Sequence, residues 1–308
     1  MKLDVYVSPY KPITSFLPRR DADGRPVPVN RAFPSWDNSR QATFPASSAS
    51  LISGEKQAVL IDSLITTAEA RLLVDWIRAK NKTLTAVYIT HGHADHFFGL
   101  NTVLTAFPQA KALALPEVMP SVQGQLKNME FWRALLPTQF AESPIVPEPM
   151  QDRVIHLEGH EIRPVIVGQS DTAPSTVVHV PDLDAVVGGD VAYNGIHPWL
   201  ASTEHEKRER WLAALDIIES LNPKIIVAGH KDPATRDDDP RTILDATRAY
   251  IRDFDQAVAE SGTPEEVIDK MMRRHGERGN PYTLWVSADG VRQQLGGSRR
   301  RRVLPTLV

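Results

Sequence analysis

Apolar positions change period along this chain, and the changes mark out its elements. Ala49-Ser50-Leu51-Ile52 and Ala58-Val59-Leu60-Ile61 flank Ser53-Gly54-Glu55-Lys56, which predicts a β-hairpin ending at Asp62. Over residues 67–80 the period becomes helical, with Ala70, Leu72, Leu73, Trp76 and Ile77 on one side and Thr66 or Thr67 as the cap. Leu84-Thr85-Ala86-Val87-Tyr88-Ile89 reads as a strand ending at Thr90. A short helix over about 100–107 and a strand over 111–115 follow. Residues 116–141 read as helical and apolar-aromatic, with Met129, Phe131, Trp132, Leu135, Leu136 and Phe140. That stripe is either core or the wall of a pocket. Strands return at 154–157, 162–167, 176–180 and 185–187, then a helix at about 204–221 and a strand at 224–228 ending at Gly229-His230. Helices over about 240–260 and 264–275 complete the pattern. Strands in the middle with helices between and after them predict an α/β fold, its sheets covered by helices on their outer faces.

The flanks lack this order. Residues 1–47 read as an irregular N-terminal segment, rich in Pro, Arg, Asn and Ser from Pro12 to Pro45. It either crosses the fold near a pocket mouth or is a plain surface loop. Residues 48–295 form the main domain. Residues 296–308, with Arg299-Arg300-Arg301-Arg302 beside Gly296-Gly297, read as a flexible basic tail, solvated or touching RNA or a membrane surface.

Composition narrows the chemistry. A 42% hydrophobic, 24% charged chain of 308 residues has ordinary globular make-up, and its formal charge of -3 gives no sign of a nucleic-acid partner. No window reaches the ~18 uncharged apolar residues of a spanning helix, and the first residues do not resemble a secretory signal. The expectation is a cytoplasmic protein acting on a small molecule, with no membrane or nucleic-acid partner and a homodimer allowed. The chain contains no cysteine, which excludes disulfides, zinc-thiolate sites and thiol catalysis.

Any metal must therefore be held by imidazole and carboxylate, and the chain offers both after the strand at 84–89. His91-Gly92-His93-Ala94-Asp95-His96 holds three of the ten histidines within six residues. His91 and His93, two apart in an extended loop, can point the same way, with Asp95 and His96 serving a second point nearby. Such donors suit zinc, with manganese or iron as alternatives.

This run resembles the H-x-H-x-D-H signature of the metallo-β-lactamase superfamily, and Gly99 fits as well. Other landmarks follow in order over residues 48–232. Asp62 ends a strand, like the aspartate supporting the metal loop; Gly189-Asp190 resembles the aspartate bridging two metals; Gly229-His230 resembles the last histidine ligand. The resemblance implies a four-layer αββα sandwich over 48–295 binding one tight zinc ion, with a second allowed. It also implies hydrolysis, by a metal-bound hydroxide, of an ester, lactone, thioester or lactam carbonyl, with Asp95 and Asp190 in the catalytic centre. Lactonase- or esterase-like action is favoured. Tyr193, three residues after Asp190, matches a tyrosine that contacts the substrate carbonyl in the family's lactonases. Phe97, Phe98, Tyr193 and Trp199 suggest a fairly hydrophobic substrate, though each also suits packing.

One landmark departs from the pattern. Where the family has a third-motif histidine, this chain reads Val167-Gly168-Gln169-Ser170-Asp171-Thr172, and Gln169 falls in the histidine's place. An amide oxygen is a poorer ligand than imidazole, so the His91/His93 site is expected to be weakened, unless Asp171, His160 or His197 completes it. The rival reading is a sensor or partner-binding module of the same fold, its catalysis impaired by Gln169.

Overall fold

The computed structural model describes residues 1–13, 35–36, 41–136, 140–141 and 143–295. Most of the expected N-terminal excursion and all of the basic tail lie outside these residues.

Six strands build the first sheet: β1 (Lys2–Val7), β4 (Ser48–Ser53), β5 (Gln57–Ile61), β6 (Thr83–Tyr88), β7 (Lys111–Ala114) and β8 (Glu148–Pro149), in the order β1-β4-β5-β6-β7-β8. A two-stranded ribbon joins β2 (Lys11–Pro12) to β3 (Thr43–Phe44). The second sheet runs β13-β12-β11-β10-β9, from β9 (Ile155–Leu157), β10 (His160–Gly168), β11 (Ser175–Val180), β12 (Ala185–Asn194) and β13 (Ile225–Lys231). The hairpin β4–β5 pairs Leu51 with Leu60, and all four side chains Leu51, Ile52, Leu60 and Ile61 are fully buried. Burial on both faces explains why these strands read as continuous apolar runs rather than alternating ones. Ser48 donates its hydroxyl to the Ala228 carbonyl at 2.7 Å, joining the two sheets where β4 meets β13.

Helices cover the outer faces, as expected for an αββα sandwich. α1 (Thr67–Arg78) begins with a capping box in which Thr66 accepts from the Glu69 N–H and Glu69 accepts from the Thr66 N–H. The turn α2 (Ala94–Phe97) and α3 (Leu100–Ala106) follow β6. α4 (Met119–Leu126) and α5 (Met129–Leu135) lie between β7 and β8. α6 (His205–Ser220) and α7 (Pro240–Ala259) pack on β12, and α8 (Pro264–His275) and α9 (Tyr282–Gly290) complete the chain. No helix among the described residues is long and apolar enough to cross a membrane.

Three expectations change. Lys2–Val7 is not irregular: it adds an edge strand antiparallel to β4, from Lys2 opposite Ser53 to Val7 opposite Ser48. Its side chains are only half-buried, as befits an edge; Leu3, Val5 and Val7 do alternate, but over too short a run beside the Pro-rich stretch to set it apart. The expected helical stretch 116–141 divides at Asn128, where the backbone leaves helical geometry (φ -105°, ψ 18°). Helix α9 was not anticipated; its apolar residues are buried almost all round, which erases the amphipathic period.

The parallel pairs β5/β6 and β12/β13 place their C-terminal ends at one rim. Ile61 lies opposite Tyr88 and Tyr193 opposite His230. Asp62, the loop after Tyr88, and His230 therefore emerge close together.

Candidate metal centre

Each buried histidine has one ring nitrogen committed to the protein, which fixes what the other can do. The Asp62 carboxylate accepts from the Thr90 N–H at 2.9 Å and from the Thr90 hydroxyl at 2.8 Å. That hydroxyl has spent its proton, so at 3.1 Å from His91 Nδ1 it accepts, and His91 is the Nδ1–H tautomer. His96 Nδ1 lies 2.7 Å from Asp62 Oδ2. His230 Nδ1 lies 3.1 Å from the Ala46 carbonyl, which can only accept. In all three rings Nε2 is left as the inward-facing donor atom. Carboxylate and carbonyl partners of this kind orient metal-binding imidazoles.

The Nε2 atoms gather around two carboxylates. His96 Nε2 lies 3.3 Å from Asp190 Oδ1 and 3.6 Å from Asp95 Oδ2. His230 Nε2 lies 3.1 Å from Asp95 Oδ2 and 3.2 Å from Asp190 Oδ2, and His91 Nε2 is 3.7 Å from Asp190 Oδ2. Two donor sets result: His91, His93, Asp171 and Asp190, and Asp95, His96 and His230. Asp190 touches both. Zinc bonds of about 2.0–2.1 Å in a tetrahedron space neighbouring donors by roughly 3.3 Å, the middle of the observed range. His91 Nε2, His96 Nε2 and Asp190 Oδ1 are buried and make no hydrogen bond. Buried polar atoms are rarely left this way, and a cation between them accounts for all three. The residues fit a divalent metal.

Charge supports this. Burial opposes ionisation of Asp190, but the imidazoles of His230, His96 and His91 outweigh it and hold the carboxyl well below its usual range. Burial and the neighbouring His96 hold His91 down to about 3, so it is neutral at working pH. Burial also works against a charged His230, yet Asp190 and Asp95 prevail and push it up to about 10. His96 is raised in the same way by Asp190, Asp62 and Asp95. A metal must displace these protons. In protein stripped of metal, affinity is thus expected to rise about tenfold per pH unit for each proton released, up to pH near 10. Metal-ion titrations between pH 7 and 9 check this; a flat profile would contradict it.

Gln169 sits apart from this geometry. Its side-chain N–H donates to the Ser170 carbonyl at 2.8 Å, folding it onto its own loop. Asp171 comes forward instead: Ser170 donates to Asp171 Oδ1 at 2.9 Å, and Asp171 Oδ2 lies 2.8 Å from His93 Nδ1. Of the other two candidates, His160 is exposed and paired with Asp182, while His197 joins neither donor set. The cluster is not wholly loop, since Asp95 and His96 lie in the turn α2. Gly92 is required there: a Cβ would come within 2.0 Å of Ser121 Oγ and 2.5 Å of the Val122 nitrogen.

The centre forms the floor of a cavity of about 360 Å³, walled by Phe44, Phe131, Trp132, Tyr193 and Trp199. Trp132 thus serves both core and wall, whereas Phe97 and Phe98 are buried in packing. Phe44 and Pro45 bring the N-terminal segment to the cavity; Lys11 anchors it through the Pro45 carbonyl and Glu69, both at 2.9 Å. Nothing in the sequence around Phe44 marked it, because only the β2–β3 ribbon carries it to the site.

Tyr193 is 1% exposed, stacked on His230, with its hydroxyl donating to Asp190 Oδ2 at 3.3 Å. Its proton serves the ligand carboxylate.

The family profile described as Metallo-beta-lactamase superfamily matches residues 42–230. The fold is similar to that of a metallo-beta-lactamase from Pontibacter korlensis, at 17% identity over 68% of this chain and 88% of that one, with a TM-score of 0.52. It is similar also to a metallo-beta-lactamase family protein from Thermus thermophilus, at 16% identity over 81% and 89% of the two chains, with a TM-score of 0.58. No curated protein matches the chain. The profile spans more than half of the sequence and includes every residue of both donor sets, and the protein belongs to the metallo-beta-lactamase superfamily.

Proposed function

We propose that this protein is a zinc-dependent hydrolase of a fairly hydrophobic small molecule carrying an ester, lactone, thioester or lactam carbonyl. The observation that carries the reading is the convergence of two imidazole–carboxylate donor sets on the floor of an aromatic-walled cavity. In this reading His91, His93, Asp171 and Asp190 hold one ion, and Asp95, His96, His230 and Asp190 hold the other. Imidazole and carboxylate without thiolate suit zinc, though manganese and iron accept the same donors. A bound ion there would supply Lewis acidity and activate water near neutral pH.

The protein's own groups do the rest. Asp62 and the Ala46 carbonyl orient the imidazoles, Asp190 is placed between the two sets, and the aromatic wall seats the apolar part of the substrate and limits water. A cavity of this volume suits a small ligand. The sensor reading rested on a first site left short by Gln169; the Asp171 carboxylate beside His93 argues against it.

A screen of ester, lactone, thioester and lactam substrates with metal-loaded protein tests the proposal. Turnover of one class, lost on chelation and regained with metal, supports it; full metal occupancy with no turnover of any class supports the sensor.

Tyr193→Phe separates two roles for the phenol. If it positions Asp190, metal affinity falls by about 10–100-fold. If it serves the substrate oxygen, kcat falls by ~10²–10³ at constant metal content. The bond to Asp190 favours the first outcome, read by metal titration beside steady-state kinetics.

A further inference from the structure

His197 is a buried imidazole at the wall of the same cavity, and the metal centre does not use it. Its Nδ1 lies 2.8 Å from the Tyr250 hydroxyl, while its Nε2 is buried without a hydrogen-bond partner. Tyr250 is itself fully buried, and His197 Nδ1 is the one hydrogen-bond partner of its hydroxyl among the described residues. A buried phenol proton with no acceptor is costly, so the phenol donates and Nδ1 accepts. Burial, with Arg278 and His275 nearby, holds the ring down to about 3. A neutral imidazole carries one N–H, and here it must sit on Nε2.

Further contacts hold Tyr250 and His197 in this arrangement. Arg278 lies 5.0 Å over the Tyr250 ring and donates to the Ile196 and Ala246 carbonyls. The His275 ring packs against Tyr250 at 4.8 Å, held by Asp253. The His197 backbone N–H donates to the Gly279 carbonyl at 3.1 Å.

We propose that His197 is a substrate-positioning residue whose Nε2–H, fixed in that tautomer by Tyr250, binds an oxygen of the ligand lodged against the aromatic wall. The inference rests on the hydrolase reading and adds to it an orientation for the substrate, whose apolar part meets Phe131, Trp132 and Trp199 while an oxygen meets His197.

Nitrogen NMR of the labelled, zinc-loaded protein reads the tautomer directly. The expected result is a protonated Nε2 and a bare Nδ1 in His197; the reverse assignment overturns the proposal. Hexanoate, the product-like probe, is then titrated into wild type and variants. His197→Ala is expected to weaken its binding roughly tenfold with zinc content unchanged, and His197→Gln, which keeps an N–H donor, to recover part of the loss. Tyr250→Phe frees the tautomer and falls between, which keeps the test open if His197→Ala does not fold. Equal affinity in wild type and the His197 variants, or no hexanoate binding by the wild type, overturns the proposal. Failure of the hydrolase reading looks different: no acyl substrate is turned over, whatever the tautomer and the hexanoate affinities.

Discussion

Asp190→Asn is expected to lower kcat/KM on the best substrate by on the order of 10³ and to loosen both metal ions together. The substitution keeps shape and volume while removing one charge and one ligand oxygen. Among the described residues Asp190 is the one carboxylate that meets histidines of both donor sets, with His91 on one side and His96 and His230 on the other. A catalytic metal supplies several kcal/mol of transition-state stabilisation, and 1.36 kcal/mol corresponds to a factor of ten, which sets the magnitude. The same substitution withdraws the charge that most raises His230, so the proton competition expected on metal binding should shrink. Metal content by elemental analysis, steady-state kinetics and a fold check by circular dichroism make the test. A variant with two full equivalents of metal and undiminished turnover would remove Asp190 from the centre.

The second large effect is expected at the departure from the family's third motif. Asp171→Ala should release the ion held with His91 and His93 and lower turnover by roughly 10²–10³, while Gln169→His should change either quantity by about threefold or less. The asymmetry follows from how the loop is tied. Ser170 holds Asp171 Oδ1 and leaves Oδ2 facing His93, whereas the Gln169 amide is turned onto the Ser170 carbonyl. Anionic oxygen is an ordinary zinc ligand at about 2.0–2.2 Å, so the first site gains charge where it loses an imidazole. Zinc titration should therefore find two ions of comparable affinity in the wild type, instead of the tight-and-loose pair that Gln169 alone implies. If Gln169→His tightened one ion strongly while Asp171→Ala left both in place, the loop would be working in the opposite sense, with position 169 as the ligand.

Most of the body was legible because periodicity records which faces are buried. The hairpin at 48–61, the capped helix after Thr66 and the strands leading to His91 and His230 carry their signals locally; the structure starts each within a residue and carries the last one through His230 to Lys231. The candidate metal donors were equally legible, since His91, His93, Asp95 and His96 crowd into one loop and turn, and Asp190 and His230 each follow a short apolar run, within β12 and near the end of β13. These are properties of short stretches of chain.

What the sequence left open depended on contacts between distant segments. No local feature distinguishes Asp171 from Gln169 as the partner of His93; the hydrogen bonds of the 168–175 loop decide it. For Tyr193 the family resemblance suggests a substrate contact, while the β12–β13 register stacks it on His230 and sets its hydroxyl against Asp190, a partner no local pattern announces. His197 stood in the sequence only as a possible metal ligand; its link to Tyr250, 53 residues away, exists only in the fold. Edge strand β1 and the cavity residue Phe44 likewise owe their places to pairing with remote partners. Burial pattern and ligand type are written into neighbouring residues, whereas the direction of a side chain's hydrogen bond is set by whatever the fold brings against it.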